Sequence, residues 1–147
     1  MKTYLMEFSG TCEASTYQKP TILAIDDDND NLVLIGCALE VLNCEFIGET
    51  SGQAALAIAI ERQPSLILLD VIMPDMHGID FIRRLKQHHL ACQIPVIAIT
   101  GLATPEDRQE LLAEGFADYL SKPYMVDDLE SIVRRHLQVE LLYCEDA

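Results

Sequence analysis

Leu66-Ile67-Leu68-Leu69-Asp70 decides how the rest of this chain is read. Four consecutive aliphatic residues leave no polar face for water, so the run reads as a strand buried on both sides that stops on a carboxylate. Three other runs have the same form. Thr21-Ile22-Leu23-Ala24-Ile25 leads into Asp26-Asp27-Asp28, Val96-Ile97-Ala98-Ile99 stops at Thr100, and Tyr119-Leu120-Ser121 leads to Lys122. If these are parallel strands, their C-terminal ends meet on one edge of one sheet, where open α/β sheets bind ligands. Carboxylates, a hydroxyl and an ammonium would share a crevice there. Such a set can hold a divalent cation and manage a phosphoryl group.

Strands and helices alternate outward from these runs. Strands are expected near 21–26, 45–48, 66–70, 95–100 and 118–121. The first helix is expected near 30–42, with Leu32, Val33, Leu39 and Leu42 on its buried side. Ser51-Gly52 begins a second helix that runs to about Arg62 and is ended by Pro64. The loop Met73-Pro74-Asp75-Met76-His77-Gly78 is rich in turn residues, and a helix near 78–89 follows with Ile79, Phe81, Ile82 and Leu85 at helical spacing. Thr104-Pro105-Glu106-Asp107 reads as an N-cap, a first-turn proline and two acids suited to the helix dipole. That helix should reach about Glu114 and stop at Gly115. A last helix runs from about Val126 to at least Leu137. Five such alternations imply a parallel sheet covered on both faces, with few topologies left once crossovers are right-handed.

The 147 residues fit one domain, taken as 20–138. Residues 1–19 read as an N-terminal extension, and 139–147 as a tail or a continuation of the last helix. Half the residues are hydrophobic and only 6% aromatic, which suits an aliphatic interior. A net charge of −14 repels nucleic acid and anionic membranes, so neither is expected as a direct partner. Five cysteines without metal-type spacing (Cys12, Cys37, Cys44, Cys92 and Cys144) read as free thiols of a reducing cytoplasm. No run has membrane-spanning length, and the start lacks a signal-peptide core.

Each polar strand end has an ordinary alternative. Asp26, Asp27 and Asp28 could simply cap a helix, and Asp28 is the one best placed to do so. Adjacent acids repel, however, unless a cation lies between them. Asp70 ends one of the most apolar strands, and a buried carboxylate needs a partner, which a cation shared with Asp27 would supply. It could also act as a nucleophile. Thr100 could finish a strand as a β-branched residue or donate its hydroxyl to a phosphoryl oxygen. Gly101 leaves room beside it. Lys122 is either a surface lysine or a point charge within reach of that oxygen.

Taken in order, these motifs resemble the receiver domain of two-component response regulators. The resemblance rests on Ile22-Leu23-Ala24-Ile25-Asp26-Asp27-Asp28, on Leu68-Leu69-Asp70-Val71-Ile72-Met73-Pro74 with Gly78, on Ile99-Thr100-Gly101, and on Tyr119-Leu120-Ser121-Lys122-Pro123. The gaps of 43 from Asp27 to Asp70, 30 from there to Thr100 and 22 to Lys122 match that family's spacing. The resemblance covers about 20–138. It implies a flavodoxin-like (βα)5 fold with strand order 2-1-3-4-5. Asp70 would accept the phosphoryl group. Asp27 would bind Mg²⁺ directly, Asp26 through water, and Ile72 through its main-chain carbonyl, with Mn²⁺ able to substitute. Thr100 and Tyr119 would be switch residues, Lys122 would pair with phosphoryl oxygens, and the bond to Pro123 would be cis.

The implied donor is the phosphohistidine of a sensor histidine kinase or histidine phosphotransfer protein. The implied output is a downstream protein bound on the surface of the fourth helix, fifth strand and fifth helix. A homodimer through the last helix stays open. The expected protein is a stand-alone phospho-accepting switch rather than an enzyme in the usual sense. Two alternatives remain: a receiver-like interaction module that is never phosphorylated, and an aspartyl-phosphate phosphohydrolase. The haloacid-dehalogenase type of the latter wants a second acid two residues after the nucleophile, where Ile72 stands. A nucleotide-binding module would want a glycine-rich turn after the first strand, and Asp26-Asp27-Asp28-Asn29 has none.

Two positions set this chain apart. Ile72 and Leu102 lie two residues after Asp70 and Thr100, where receivers flank the path of the hydrolytic water. Both are apolar, so slow loss of the phosphoryl group is expected. His77 reads as a loop residue rather than a ligand, because Mg²⁺ prefers oxygen. His88-His89 read as the close of a helix, and Cys92 as an inert thiol.

Overall fold

In the computed structural model, residues 19–101 and 104–137 are described. Five strands form one parallel sheet in the order β2-β1-β3-β4-β5. They are β1 (Thr21–Ile25), β2 (Glu45–Glu49), β3 (Leu66–Asp70), β4 (Val96–Thr100) and β5 (Asp118–Ser121). The helices are α1 (Asn29–Ala38), α2 (Gly52–Arg62), α3 (Gly78–Lys86), α4 (Pro105–Ala113) and α5 (Val126–His136). This is the expected doubly wound fold.

The aliphatic runs bury both of their faces because strand side chains alternate. Leu23, Ile25, Ile67, Leu69, Val96 and Ala98 point into a core with Ala55 and Ala59 of α2, Phe81, Ile82 and Leu85 of α3, and Leu111 of α4. Ile22, Ala24, Leu66, Leu68, Ile97 and Ile99 point the other way. They meet Leu32 and Ile35 of α1 and Leu129, Ile132 and Val133 of α5. Every residue of β3 and β4 is buried, whereas edge strands β2 and β5 are largely half-exposed. The order reverses at β1: its chain neighbour β2 lies on one side and β3 on the other. A crevice therefore opens above the C-terminal ends of β1 and β3.

The helix ends follow from local chemistry. Thr104 Oγ1 accepts the Asp107 N–H at 3.1 Å while Asp107 returns the bond to the Thr104 N–H at 3.3 Å, closing a capping box with Pro105 in the first turn. Gly115, at φ +110°, ends α4 where expected, in backbone geometry that disfavours a side chain. Asp28 caps α1 by accepting the Asp30 N–H at 2.9 Å.

Three expectations about the helices need correction. Val33 is 56% exposed, and Ile35 takes the inward place instead. The first helix ends at Ala38 and passes into a separate 3₁₀ turn, Glu40–Leu42. The third helix ends at Lys86, so His88 and His89 stand in the turn that follows, their rings stacked 5.1 Å apart. Several bounds move by one residue: β1 stops at Ile25, β2 extends to Glu49, β4 begins at Val96, and α5 ends at His136 with Leu137 as its C-cap rather than its last turn. Cys37, Cys44 and Cys92 are free thiols. Among the described residues, no helix is long and apolar enough to cross a membrane. The proposed tail, the N-terminal extension up to residue 18, Cys12, Cys144 and Leu102 all lie outside the described residues.

Candidate functional site

The ends of β1 and β3 place Asp26 and Asp70 side by side, only 3% and 7% exposed, while Asp27 faces solvent. One carboxylate oxygen from each of the three lies within 4.8 Å of the others. Asp26 is held firmly. Its Oδ1 accepts the Asp28 N–H at 2.9 Å and its Oδ2 accepts Asn31 Nδ2 at 3.2 Å. The Asp70 Oδ1 accepts the N–H of Ile72 at 3.2 Å. Its Oδ2 accepts Lys122 Nζ at 3.3 Å, and the same ammonium lies 3.7 Å from Asp26 Oδ2.

Lys122 gets there because β5 pairs beside β4. Its own N–H donates to the Thr100 carbonyl at 2.8 Å, and the Lys122–Pro123 peptide is cis as expected. Thr100 ends β4 at 1% exposure. Beyond it, a Cβ built on Gly101 would meet nothing within 4 Å among the described residues. Tyr119 is half-buried on β5, with the Arg108 guanidinium 5.0 Å from its ring centroid. Ile72 stands 56% exposed at the rim. The sheet edge thus brings Asp26, Asp27, Asp70, Thr100 and Lys122 to one place, with Tyr119 on the neighbouring strand.

Burial pushes the Asp70 carboxyl above the usual carboxylate range, and Asp26 adds to that push against the pull of Lys122. Burial by itself would lower the Lys122 ammonium, but Asp70 and Asp26 outweigh it and hold the group above the ordinary lysine range. Burial also raises the Tyr124 phenol beside them. Two of the three carboxylates, Asp26 and Asp70, share one lysine here. The uncompensated negative charge, and the all-oxygen donors, fit a hard divalent cation. No other such group of acids, cysteines and histidines occurs among the described residues.

Two contributors escaped the sequence. Asn31, in the first turn of α1, orients Asp26; an amide five residues after an acidic strand end was the available signal. Asp75 is bonded to the start of α2, which no local pattern announces because its partners lie 22 to 24 positions away. His77 lies outside the acid cluster and is the N-cap of α3, its Nδ1 accepting the Ile79 N–H at 3.1 Å.

Comparison with known proteins agrees with this fold. The family model of the response regulator receiver domain matches residues 22–134. The phosphate regulon transcriptional regulatory protein PhoB of Pseudomonas aeruginosa is 35% identical over 119 residues, which are 78% of this chain and 52% of that protein. This chain thus spans about half the length of that relative. An uncharacterized 14.6 kDa protein of Leptolyngbya boryana is 36% identical over 90% of this chain and 98% of its own length. The solved structure of the chemotaxis response regulator CheY4 of Vibrio cholerae superposes with a TM-score of 0.77 at 28% identity, covering 82% of this chain and all of that one. The chain belongs to the response regulator receiver domain family, the phospho-accepting switches of two-component signalling.

Proposed function

We propose that Asp70 accepts a phosphoryl group from a phosphohistidine, in a Mg²⁺-dependent transfer, and that the resulting acyl phosphate switches a protein-binding surface. The observation that carries this is the shared placement of Asp26, Asp27, Asp70 and Lys122: three carboxylate oxygens within 4.8 Å and one ammonium 3.3 Å from Asp70. Asp26, Asp27, Asp70 and the Ile72 carbonyl would hold the cation, which when bound neutralises charge on the phosphoryl oxygens.

The chain's own residues do the rest. An Asp70 carboxylate oxygen attacks phosphorus, the P–N bond breaks, and its electron pair returns to the histidine ring. Lys122 pairs with the transferred oxygens. The Thr100 hydroxyl, one strand away, binds a phosphoryl oxygen and couples the site to Tyr119. Output then emerges on the face of α4, β5 and α5.

The donor's approach is supported by the rim of the site. A groove of about 710 Å³ between α1 and α5 shares Lys122 with the crevice and is lined by Leu34, Cys37, Tyr124 and Val126. Leu34 and Val126 are 67% and 56% exposed, so an apolar helical surface could seat there beside Asp70. Slow hydrolysis follows from Ile72 at the mouth, with Leu102 as its proposed companion.

The test is incubation with acetyl phosphate or phosphoramidate, with and without Mg²⁺. A Mg²⁺-dependent, base-labile phosphoryl mark on the wild type that is lost in Asp70→Asn is expected. A mark that needs no divalent cation, or that survives Asp70→Asn, refutes the reading.

A further inference from the structure

We propose that Asp75 is a positioning residue for the phospho-accepting loop: bonded to the start of α2, it sets where Ile72 and the Asp70 carboxylate stand. The proposal extends the Mg²⁺-dependent reading above and rests on it for its metal readout.

Asp75 comes five residues after Asp70, yet its carboxylate serves a different element. Oδ1 accepts the Gly52 N–H at 3.2 Å. Oδ2 accepts Ser51 Oγ at 3.1 Å and the Gln53 N–H at 3.3 Å. Helix α2 already has a local cap, because Ser51 Oγ accepts the Ala54 N–H at 3.2 Å. Glu49 Oε2 covers the N–H groups of Thr50 and Ser51 at 3.0 and 3.1 Å. With Asp75 added, every backbone N–H from Thr50 to Ala54 has a side-chain acceptor. One local cap usually serves a helix start, so the remote carboxylate does more than cap: it ties the β3–α3 loop to α2.

Packing makes the same tie. A Cβ on Gly52 would stand 3.0 Å from Met76 Cβ and 3.3 Å from Met73 Cε, and both methionines are buried. The loop can approach this closely only because Gly52 has no side chain. The far end of the loop is fixed too. The Gly78 N–H donates to the Val71 carbonyl at 2.7 Å, and a Cβ on Gly78 would press to 2.8 Å from Val71 Cα. Between these anchors lies Ile72, whose N–H holds Asp70 Oδ1. A continuous path therefore runs from the start of α2 through Asp75 to the reacting carboxylate. Asp75 is also held as an anion: burial, the largest single influence, works against its charge, but the donors from Gly52, Gln53 and Ser51 together prevail and lower its pKa. Removing a group that orients metal ligands from behind typically costs about 10- to 100-fold in metal affinity.

The experiment has two readouts on the full chain: calorimetric Mg²⁺ titration at low and high salt, and amide hydrogen exchange of the metal-free protein. The variants are Asp75→Ala, which removes the tie, and Gly52→Ala, which pushes the loop away without changing charge. Asp75→Ala should weaken Mg²⁺ binding about tenfold, an effect that persists at high salt. Gly52→Ala should act in the same direction. The Ile72 amide should exchange faster in both, while Phe81 and Ile82 in α3 keep their protection.

Three results overturn the proposal. In the first, both variants melt earlier but bind Mg²⁺ and protect Ile72 as the wild type does, which makes Asp75 a cap and nothing more. In the second, the Asp75→Ala effect disappears at high salt and Gly52→Ala is normal, which leaves only long-range charge. In the third, the Ile72 amide is unchanged in both variants. If the wild type binds no Mg²⁺, the metal reading fails, and the exchange readout still decides whether Asp75 positions the loop.

Discussion

Replacing Asp70 with asparagine should stabilise the metal-free protein while removing its chemistry. The Asp70 carboxylate is 7% exposed and is attracted by Lys122 Nζ at 3.3 Å. At an effective dielectric of ~20 that attraction is about 5 kcal/mol. Asp26 repels it across no more than 4.8 Å between the facing oxygens, which is at least about 3.5 kcal/mol on the same scale. Asp27 adds a further repulsion, screened because it faces water. Lys122 is a third exposed and divides its charge between two acids, which trims the attraction. The pair terms come close to cancelling, and the cost of burying Asp70 is left without compensation, in keeping with its raised pKa.

Asp70→Asn removes that cost, and the expected gain is on the order of 1–2 kcal/mol. For a domain of this size that is roughly 2–8 °C in melting temperature. The sign of the pH dependence follows. A carboxyl whose folded-state pKa is raised penalises the fold above that pKa and ceases to do so as pH falls through it towards 3.8. The gap between variant and wild type should therefore be widest at neutral pH and close on acidification. Mg²⁺ at about a hundred times its Kd should stabilise the wild type by about 2.7 kcal/mol and the variant by less. Thermal melts with and without Mg²⁺ across this pH range are the assay. A variant that melts below the wild type without metal at neutral pH, or gains as much from Mg²⁺, refutes the electrostatic reasoning.

Other expectations are more local. Gly78→Ala forces a Cβ to 2.8 Å from Val71 Cα, where backbone must move, so a loss of about 1–3 kcal/mol is expected in denaturant melts; unchanged stability would contradict the close approach. Ile72→Asn replaces the exposed aliphatic group at the mouth and should shorten the phosphoryl lifetime several-fold in a decay assay, whereas an equal or longer lifetime counts against shielding. Leu34→Glu, on an exposed site of α1, should slow transfer from a phosphohistidine protein yet leave acetyl phosphate labelling as it was. Equal slowing with both donors would place Leu34 in the chemistry rather than in docking.

The sheet was legible because its central strands are uninterrupted aliphatic runs ending on polar residues, a pattern that both faces of a parallel sheet require. The main site residues were legible for the same reason, since strand ends converge by topology. Helix α1 was harder. Leu32, Val33, Leu34 and Ile35 are all apolar, so period alone could not say that Leu32 and Ile35 face inward while Val33 and Leu34 face water. The end of α3 was misplaced because Gln87, His88 and His89 suit a final turn as well as the loop that forms there. Asn31 and Asp75 were missed for another reason. Their roles depend on distances created only when β1, α2 and the β3–α3 loop come together.

The central claim is that Asp70 forms the acyl phosphate, and the most direct test is chemical mapping of the modified residue. Protein labelled with phosphoramidate in Mg²⁺ would be reduced with borohydride, which converts an aspartyl phosphate to homoserine, and then sequenced by mass spectrometry. Homoserine at position 70, with Asp26, Asp27, Thr100 and the histidines unmodified, is the predicted result. Homoserine at another aspartate, or phosphate retained on a histidine with Asp70 intact, would contradict it.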